Sequence, residues 1–371
     1  MTLAAPSPRK PDTGPLKKGW TTGACAAAAA AAAWRAMSTG DFADTVTIHL
    51  PRGEAPTFTL ATKILGTDFA CAGVVKDAGD DPDVTHGLEI ITDVQKGRRG
   101  TGVTFSAGEG VGTVTLKGLP LAVGEPAINP GPRQQITDAI TRMARELKGP
   151  EAETPDVRVT ISIPGGQDVA LKTMNGRLGI QGGLSVLGTT GIVVPYSCSS
   201  WIHAIHRGID VARAQNLDHV LASTGRTSEQ AASQQLDLSG AALIDMGDFA
   251  GGLFKYLRTH PLAHLTLAGG FAKLVKLSQG SMDLHSSRSQ VDFEQLADVL
   301  ARLGGARDTV SQVRTANTAM EVLELAGDSA PELASLIARQ AREVALATLA
   351  GGTQVTVWVY DRSGNLVGTS S

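Results

Sequence analysis

The chain has 371 residues, of which 42% are hydrophobic, so it can bury a sizeable core, and this length favours two domains over one. The 33 basic and 36 acidic residues nearly cancel, and no basic run contains aromatic residues, which excludes an electrostatically supported nucleic-acid surface. The three cysteines, Cys25, Cys71 and Cys198, form neither a disulfide framework nor a metal-ligand spacing, and this predicts a cytoplasmic protein. Residues 1–15 contain four prolines and are predicted to be a disordered tail.

The folded part begins with Gly19–Cys25, which is followed by eight alanines, Ala26–Ala33. Alanine gives too little hydrophobicity for a membrane span or an export signal, and both are excluded. Because alanine is the best helix former and Thr21, Thr22 and Gly23 can cap a first turn, we predict a helix whose N-terminus lies on a glycine loop. Its small side chains let either a ligand or another element approach closely, so binding and packing both remain open.

Between the alanine helix and Pro195 the pattern is typical of a sheet packed by helices. Short runs alternate apolar and polar residues and are bounded by glycine, proline or aspartate. These runs are Val46–Leu50, Phe58–Leu60, Val103–Phe105 and Val157–Ile163. A helix is predicted over Ile136–Leu147 from its apolar spacing. We therefore predict that residues 16–195 form an α+β domain with a mixed or antiparallel sheet.

After Pro195 the pattern changes to strand, loop and helix at a spacing of about twenty residues, which is typical of a parallel sheet. The predicted strands are His219–Ser223, Ala241–Met246, His264–Ala268 and Val355–Tyr360, the last followed by a turn at Asp361–Gly364. Long amphipathic helices are predicted at Val291–Leu303 and Pro331–Leu349. The fold class is therefore α/β, with residues 196–371 forming a Rossmann-like parallel α/β domain.

Ligands of open parallel sheets bind outside the carboxyl ends of the strands, so the loops there are candidates. The chain contains neither G-x-G-x-x-G nor G-x-x-x-x-G-K-[ST], which disfavours a nicotinamide-dependent oxidoreductase and a P-loop protein. A nucleoside ligand without a pyrophosphate, such as S-adenosylmethionine, needs neither motif, and Asp245 or Asp248 could accept hydrogen bonds from its ribose. Plain turn residues are the alternative at these positions.

Three further segments have polar side chains in suggestive spacing. The loop Lys76–Gly87 holds four carboxylates but lacks the EF-hand spacing, so caps, turns or substrate contacts are predicted there. His203 and His206 lie one helical turn apart without a third metal ligand nearby, and Ser197–Ser200 is explained by a helix cap. No metal site and no catalytic residue is assigned.

The segment Lys172–Val193 has glycines every few residues and three polar side chains at its start. Lys172, Asn175 and Arg177 supply cationic and amide donors that suit carboxylates. The alternative is structural, with the glycines serving as strand bends and close-packing positions.

Five segments in order resemble the cobalt-precorrin-5B C(1)-methyltransferase family of cobalamin biosynthesis. They are Gly19–Ala27, Lys76–Thr85, Gly108–Gly112 with Pro126–Pro130, Arg177–Val193 and Lys276–Gly280. The resemblance covers roughly residues 16–365.

The resemblance implies an enzyme that transfers a methyl group from S-adenosylmethionine to ring carbon C-1 of cobalt-precorrin-5B, giving cobalt-precorrin-6A. Cobalt then arrives only as part of the substrate. A metal-free precorrin substrate and a non-catalytic corrinoid carrier remain as alternatives. The implied partner is a small corrinoid, with no nucleic acid and no membrane, and a homo-oligomer and hand-over contacts with neighbouring pathway enzymes are left open.

Under this resemblance the two predicted domains receive different ligands. The substrate's acetate and propionate groups call for cations, amides and helix N-termini, and the corrin is assigned to residues 16–195. The predicted substrate-binding residues are Thr21, Thr22, Gly23, Lys172, Asn175, Arg177 and Lys273. The predicted donor-binding residues, assigned to residues 196–371 with S-adenosylmethionine, are Thr224, Gly225, Asp245, Gly247, Asp248, Gly269 and Gly270.

Overall fold

A computed structural model describes residues 14–370. The predicted tail, residues 1–15, lies outside this range except for its last two residues. The chain divides into two compact units, Met1–Cys198 and Ser199–Ser371, here called unit 1 and unit 2. No helix within residues 14–370 is both long enough and apolar enough to cross a bilayer.

Unit 1 is an α+β unit in which the described strands are short and the two main helices are long. Its helices are α1 (Thr22–Thr39), α2 (Pro130–Lys148) and α3 (Gly166–Ala170). Its strands are β1 (Gly19–Trp20), β2 (Thr45–Thr47), β3 (Thr57–Thr59), β4 (Thr62–Leu65), β5 (Phe69–Val75), β6 (Glu89–Lys96), β7 (Val103–Ala107), β8 (Thr113–Val114), β9 (Val157–Ser162), β10 (Ile180–Gln181) and β11 (Ile192–Val193).

The main sheet of unit 1 has five strands in the order β4-β5-β6-β9-β7. All neighbours are antiparallel except β7 and β9, so the sheet is mixed, as predicted. One of its faces packs against α1 and α2 in a single core that contains the whole alanine run. Pairs β2-β3, β1-β11 and β8-β10 are separate two-stranded ribbons.

The alanine helix α1 begins where its sequence predicts. The hydroxyl of Thr21 accepts a hydrogen bond from the Ala24 amide at 3.2 Å, and Gly40 ends the helix in the left-handed conformation. Ala26–Ala33 are all at most 5% exposed, so no face of the run is left open to solvent. The small side chains let α2 and the sheet approach the helix backbone, to which Thr92 of β6 donates a hydrogen bond at the Ala26 carbonyl.

Unit 2 is a three-layer α/β unit. Its helices are α4 (Cys198–Ala214), α5 (Arg226–Leu236), α6 (Ala250–Thr259), α7 (Phe271–Ser278), α8 (Phe293–Arg302), α9 (Arg307–Arg314), α10 (Ala319–Leu325) and α11 (Ala330–Leu349). Its strands are β12 (His219–Ser223), β13 (Leu243–Asp245), β14 (His264–Gly270), β15 (Gln354–Tyr360) and β16 (Leu366–Thr369). Short 3-10 turns cover Gly240–Ala242 and Gly327–Ser329.

The sheet of unit 2 has the order β13-β12-β14-β15-β16, and only β16 is antiparallel to its neighbour. Helix α5 packs on one face, in the cluster of Leu221 and Ala232, whereas α6, α7 and α11 belong to the large core on the other face. The predicted class, an α+β part followed by a Rossmann-like parallel α/β part, is confirmed.

Some boundaries differ from the predicted ones. The run Ala241–Met246 begins as a 3-10 turn, and only Leu243–Asp245 pairs as a strand. Of the predicted strand Val46–Leu50, only Val46 and Thr47 belong to a strand of the structure, which is β2. Strands β4, β5 and β6 were not predicted, although β5 and β6 lie in the middle of their sheet.

Candidate functional site

The strand order of unit 2 reverses direction at β12. The chain leaves β12 toward β13 on one side and then returns to β14 on the other side, so the connections from these strands diverge. This 2-1-3 order is the doubly wound arrangement in which ligands bind at the carboxyl ends of the two strands flanking the reversal. In this unit those ends are Ser223 of β12 and Gly270 of β14.

Backbone hydrogen bonds hold the loops at this edge together. The Thr224 amide donates to the Ala268 carbonyl at 2.9 Å, and the Gly247 amide donates to the Ser223 carbonyl at 3.1 Å. The loops after β12, β13 and β14, which are distant in sequence, therefore form one connected rim. All seven residues predicted for the methyl donor lie on this rim: Thr224, Gly225, Asp245, Gly247, Asp248, Gly269 and Gly270.

Lys273 joins the three loops through its side chain. It lies in the first turn of α7, and its ammonium donates to the Thr224 carbonyl at 2.6 Å. The same nitrogen lies 3.0 Å from the buried Oδ1 of Asp248. The angles of this contact do not meet the criteria for a hydrogen bond, so it is an ion pair only. The sequence groups Lys273 with the substrate, whereas the structure places it beside the residues predicted for the methyl donor, because α7 starts directly after β14.

The glycines of the rim differ in the space around them. A Cβ added at Gly225 or Gly270 would meet no atom within 4 Å, whereas one at Gly269 would lie 2.9 Å from the Thr224 hydroxyl. Gly247 has φ 56°, a conformation that favours glycine. Gly225 and Gly270 therefore leave open backbone at the N-termini of α5 and α7, whereas Gly269 is glycine because of packing.

Two residues that the sequence analysis missed border this rim. The Trp201 indole donates to the Asp245 carbonyl at 3.0 Å, and Asp245 itself is half-buried. The buried Ser223 hydroxyl donates to Glu229, an acid in the first turn of α5, at 3.0 Å. An acidic residue soon after a glycine loop was a usable signal for Glu229, but nothing in the sequence links Trp201 to a loop more than forty positions later.

The predicted substrate residues of unit 1 separate into exposed and internal groups. Lys172 is exposed and Arg177 is half-buried, and both follow the short helix α3. Asn175 is 7% exposed, donates to the Gly183 carbonyl at 3.2 Å and accepts from the Ser185 hydroxyl at 3.2 Å. Asn175 therefore holds the glycine-rich loop together, and its amide is engaged inside the protein.

The N-terminus of α1 is also engaged by the protein's own chain. The Gly23 amide donates to the Leu187 carbonyl at 3.0 Å, and the Thr21 amide donates to Gly191 at 2.9 Å. Thr21 and Thr22 are 9% and 6% exposed. The amides of Thr21 and Gly23, which were expected to face a ligand, already bond to the segment 187–191 that covers them. At these two residues the structure therefore favours packing, the alternative that the sequence left open.

The acidic loop after β5 is a set of turns tied by hydrogen bonds. Asp77 accepts from the Gly79 amide at 2.9 Å and Asp81 accepts from the Tyr196 amide at 2.8 Å. The Lys76 ammonium, 3% exposed, donates to Asp83 at 2.5 Å. Burial alone would raise the pKa of Asp83, but the Lys76 charge and hydrogen bonds from Lys76 and Thr85 hold that pKa below its ordinary value.

The two histidines of α4 do not share a ligand geometry. The ring centroids of His203 and His206 are 6.2 Å apart, and the His206 ring instead stacks on Tyr256 at 3.9 Å. Desolvation is the largest cause that lowers the His206 pKa from its ordinary value. Within residues 14–370, no three histidine, cysteine, aspartate or glutamate side chains come together as a metal site.

Comparison with known proteins decides the family. The CbiD family model matches residues 9–195, and the model for the CbiD C-terminal domain matches residues 283–371. This chain belongs to the CbiD family. A relative from Brucella anthropi, named cobalt-precorrin-5B C(1)-methyltransferase, is 54% identical over 364 residues, which is 98% of each chain. Relatives with the same name from Brucella canis and Brucella suis are 54% identical over 363 residues, again 98% of each chain.

A solved structure of a family member is also similar to this CbiD chain. It is the 1.9 Å crystal structure of the cobalamin biosynthesis protein (cbiD) from Archaeoglobus fulgidus. The two sequences are 28% identical, the match covers 74% of this chain and 83% of the other, and the TM-score is 0.39.

Proposed function

We propose that this protein is a cobalt-precorrin-5B C(1)-methyltransferase of cobalamin biosynthesis, with S-adenosylmethionine as its methyl donor. The observation that carries the proposal is 54% identity, over 98% of both chains, to relatives that bear this name. Cobalt belongs to the substrate in this reaction. The name that these relatives share favours the cobalt-bearing substrate over a metal-free precorrin.

The rim of unit 2 fits a nucleoside-bearing methyl donor. Asp248 is half-buried on the rim, and its carboxylate, ion-paired with Lys273, is a charged acceptor that suits a ribose hydroxyl as donor. Gly225 and Gly270 leave room for a ligand against the backbone, and neither helix that follows them has a side-chain cap. We assign the donor to residues 196–371 on these three features.

S-adenosylmethionine supplies an activated methyl sulfonium, so no covalent nucleophile is required of the protein. The tasks left to the chain are to bind, to orient and to exclude water. Lys273 fixes the position of Asp248 and of the Thr224 carbonyl, because one ammonium contacts both. The rim therefore offers a prearranged acceptor on a rigid base.

In unit 1, the exposed Lys172 and half-buried Arg177 have the chemistry to bind substrate carboxylates. Asn175 holds the loop between them in shape through its bonds to Gly183 and Ser185. We propose that residues 16–195 contact the corrin through this loop. Arg177→Ala is expected to weaken corrinoid binding without changing donor binding.

Calorimetry with S-adenosylmethionine and with its demethylated product, S-adenosylhomocysteine, tests the donor assignment. Asp248→Asn is expected to weaken binding of both by about tenfold, because a charged acceptor is replaced by a neutral amide. Asp308→Asn, an exposed aspartate on α9, is the matched control and should bind as the unchanged protein does.

Two outcomes would contradict the proposal. If the unchanged protein binds a corrinoid but neither donor compound, it is the non-catalytic carrier. If it methylates a metal-free precorrin faster than the cobalt form, the substrate assignment is wrong while the donor assignment stands.

A further inference from the structure

An exposed tryptophan is held against the rim of unit 2. Trp201 is 46% exposed, and its indole nitrogen is fixed by the bond to the Asp245 carbonyl at 3.0 Å. A Cβ at Gly247 would lie 3.3 Å from its ring, so the ring covers that glycine closely. The ring is thus an ordered apolar surface beside the loops that follow β12 and β13.

A groove with aromatic walls continues from this tryptophan. Its volume is about 480 Å³, within the range of small-molecule sites. The Phe249 ring lies 6.2 Å from that of Trp201, and the stacked pair of His206 and Tyr256 forms a second wall. The Tyr256 hydroxyl donates to Asp210 at 2.7 Å, which holds this wall in place. Ile202, Gly251 and Met282 also line the groove, and Lys255 and Asp283 lie at its border.

The groove is joined to the donor rim by direct bonds. Phe249 follows Asp248 in the chain, and the Asp248 carbonyl accepts from the Leu284 amide at 2.8 Å. The Gly251 amide donates to the Met282 carbonyl at 2.8 Å. A ligand in the groove would therefore border the residues proposed to hold the methyl donor.

The groove has one cation and one carboxylate at its border, and within residues 14–370 only the carboxylate is neutralised by an ion pair. Lys255 is exposed at its edge, whereas the Asp283 carboxylate is paired with Arg288 at 2.6 Å. The groove therefore presents apolar and aromatic surface with a cation at its border. That combination suits a flat apolar molecule that carries carboxylates at its periphery.

We propose that this groove of unit 2 binds one face of the tetrapyrrole substrate, with Trp201 as the stacking surface and Lys255 as partner of a peripheral carboxylate. The inference rests on the proposed function, because methyl transfer requires the acceptor carbon within about 3.5 Å of the donated methyl group. Some substrate surface must then border the donor loops, and the groove does.

The test measures binding of cobyrinic acid, a stable corrinoid with free carboxylates, and of S-adenosylhomocysteine to the full chain. Trp201→Ala is expected to weaken cobyrinic acid binding by about tenfold, and Lys255→Gln by about threefold. Lys255→Gln, whose side chain is exposed on α6, should bind S-adenosylhomocysteine within twofold of the unchanged protein. Leu366→Ala, at another exposed apolar residue, and Arg258→Gln, at another exposed cation of α6, are the matched controls.

Each outcome separates the two proposals. If the unchanged protein binds both compounds but Trp201→Ala and Lys255→Gln leave cobyrinic acid binding intact, the groove proposal is overturned and the proposed function stands. If Lys255→Gln weakens S-adenosylhomocysteine binding as much as it weakens cobyrinic acid binding, the groove belongs to the donor instead. Because Lys255 lies on the surface, its variant decides the question even where Trp201→Ala does not fold.

Discussion

The N-terminus of α1 in unit 1 and the N-termini of α5 and α7 in unit 2 follow similar glycine-containing loops, but they differ in what their donors contact. At α1, Thr21 caps the helix and Gly23 bonds to the segment above it. At α5 and α7, Gly225 and Gly270 leave the space beside the backbone open. The N-termini of α5 and α7 are therefore better candidates for ligand contact than the N-terminus of α1, whose first turn already bonds to the protein.

The largest expected effect tests whether α1 is tightly packed, by placing a larger side chain inside the helix. Ala29 is fully buried, so Ala29→Leu must displace neighbours and is expected to destabilise the protein by about 3 kcal/mol. Urea unfolding measures this loss. The exposed helical Ala301→Leu is the control and should stay within about 0.5 kcal/mol. A well-folded Ala29→Leu with unchanged stability would show that α1 is loosely packed.

A substitution at Gly270 tests whether the open space at the N-terminus of α7 holds a ligand. Its φ of −67° suits any residue, so Gly270→Ala should keep its stability while the added methyl group takes the space of a ligand. We expect S-adenosylhomocysteine to bind about tenfold more weakly. Gly208→Ala, whose Cβ would make an ordinary contact at 3.7 Å, serves as the control. Unchanged affinity in Gly270→Ala would remove this glycine from the donor site.

The smallest expected effect is at the cap of α1. Thr21→Val removes the acceptor of the Ala24 amide and should cost about 1 kcal/mol of unfolding free energy, which Thr21→Ser should restore. Cobyrinic acid affinity should not change, because the cap is covered. Weaker corrinoid binding at unchanged stability would reverse the comparison and make the α1 terminus part of the substrate site.

The sequence predicted the parallel sheet of unit 2 better than the sheet of unit 1. Strands β12 and β14 are apolar runs bounded by polar residues and glycine, which is the usual pattern of buried parallel strands. Strand β5, with the sequence FACAGVV, uses small residues because α1 lies close to it, so its alternation is weak. The close packing that makes unit 1 compact also hid its central strands.

The site was predictable as a set of loops but not as a set of contacts. Glycines after strands identified the rim, because strand ends at one edge of a parallel sheet come together. The side chain of Lys273 contacts the loop after β12 because of the direction in which it leaves α7. Trp201 contacts Asp245 from α4, a helix that precedes all strands of this sheet in the chain. These contacts follow from strand order and helix rotation, which spacing in the sequence does not specify.

The alanine run of α1 has a consequence for the entropy of folding. A buried leucine loses about 0.5–1 kcal/mol of rotamer freedom, whereas alanine has none to lose. The eight residues Ala26–Ala33 are therefore ordered against α2 and the sheet without any side-chain entropy cost. Only the backbone of this helix has to be fixed when unit 1 folds around it.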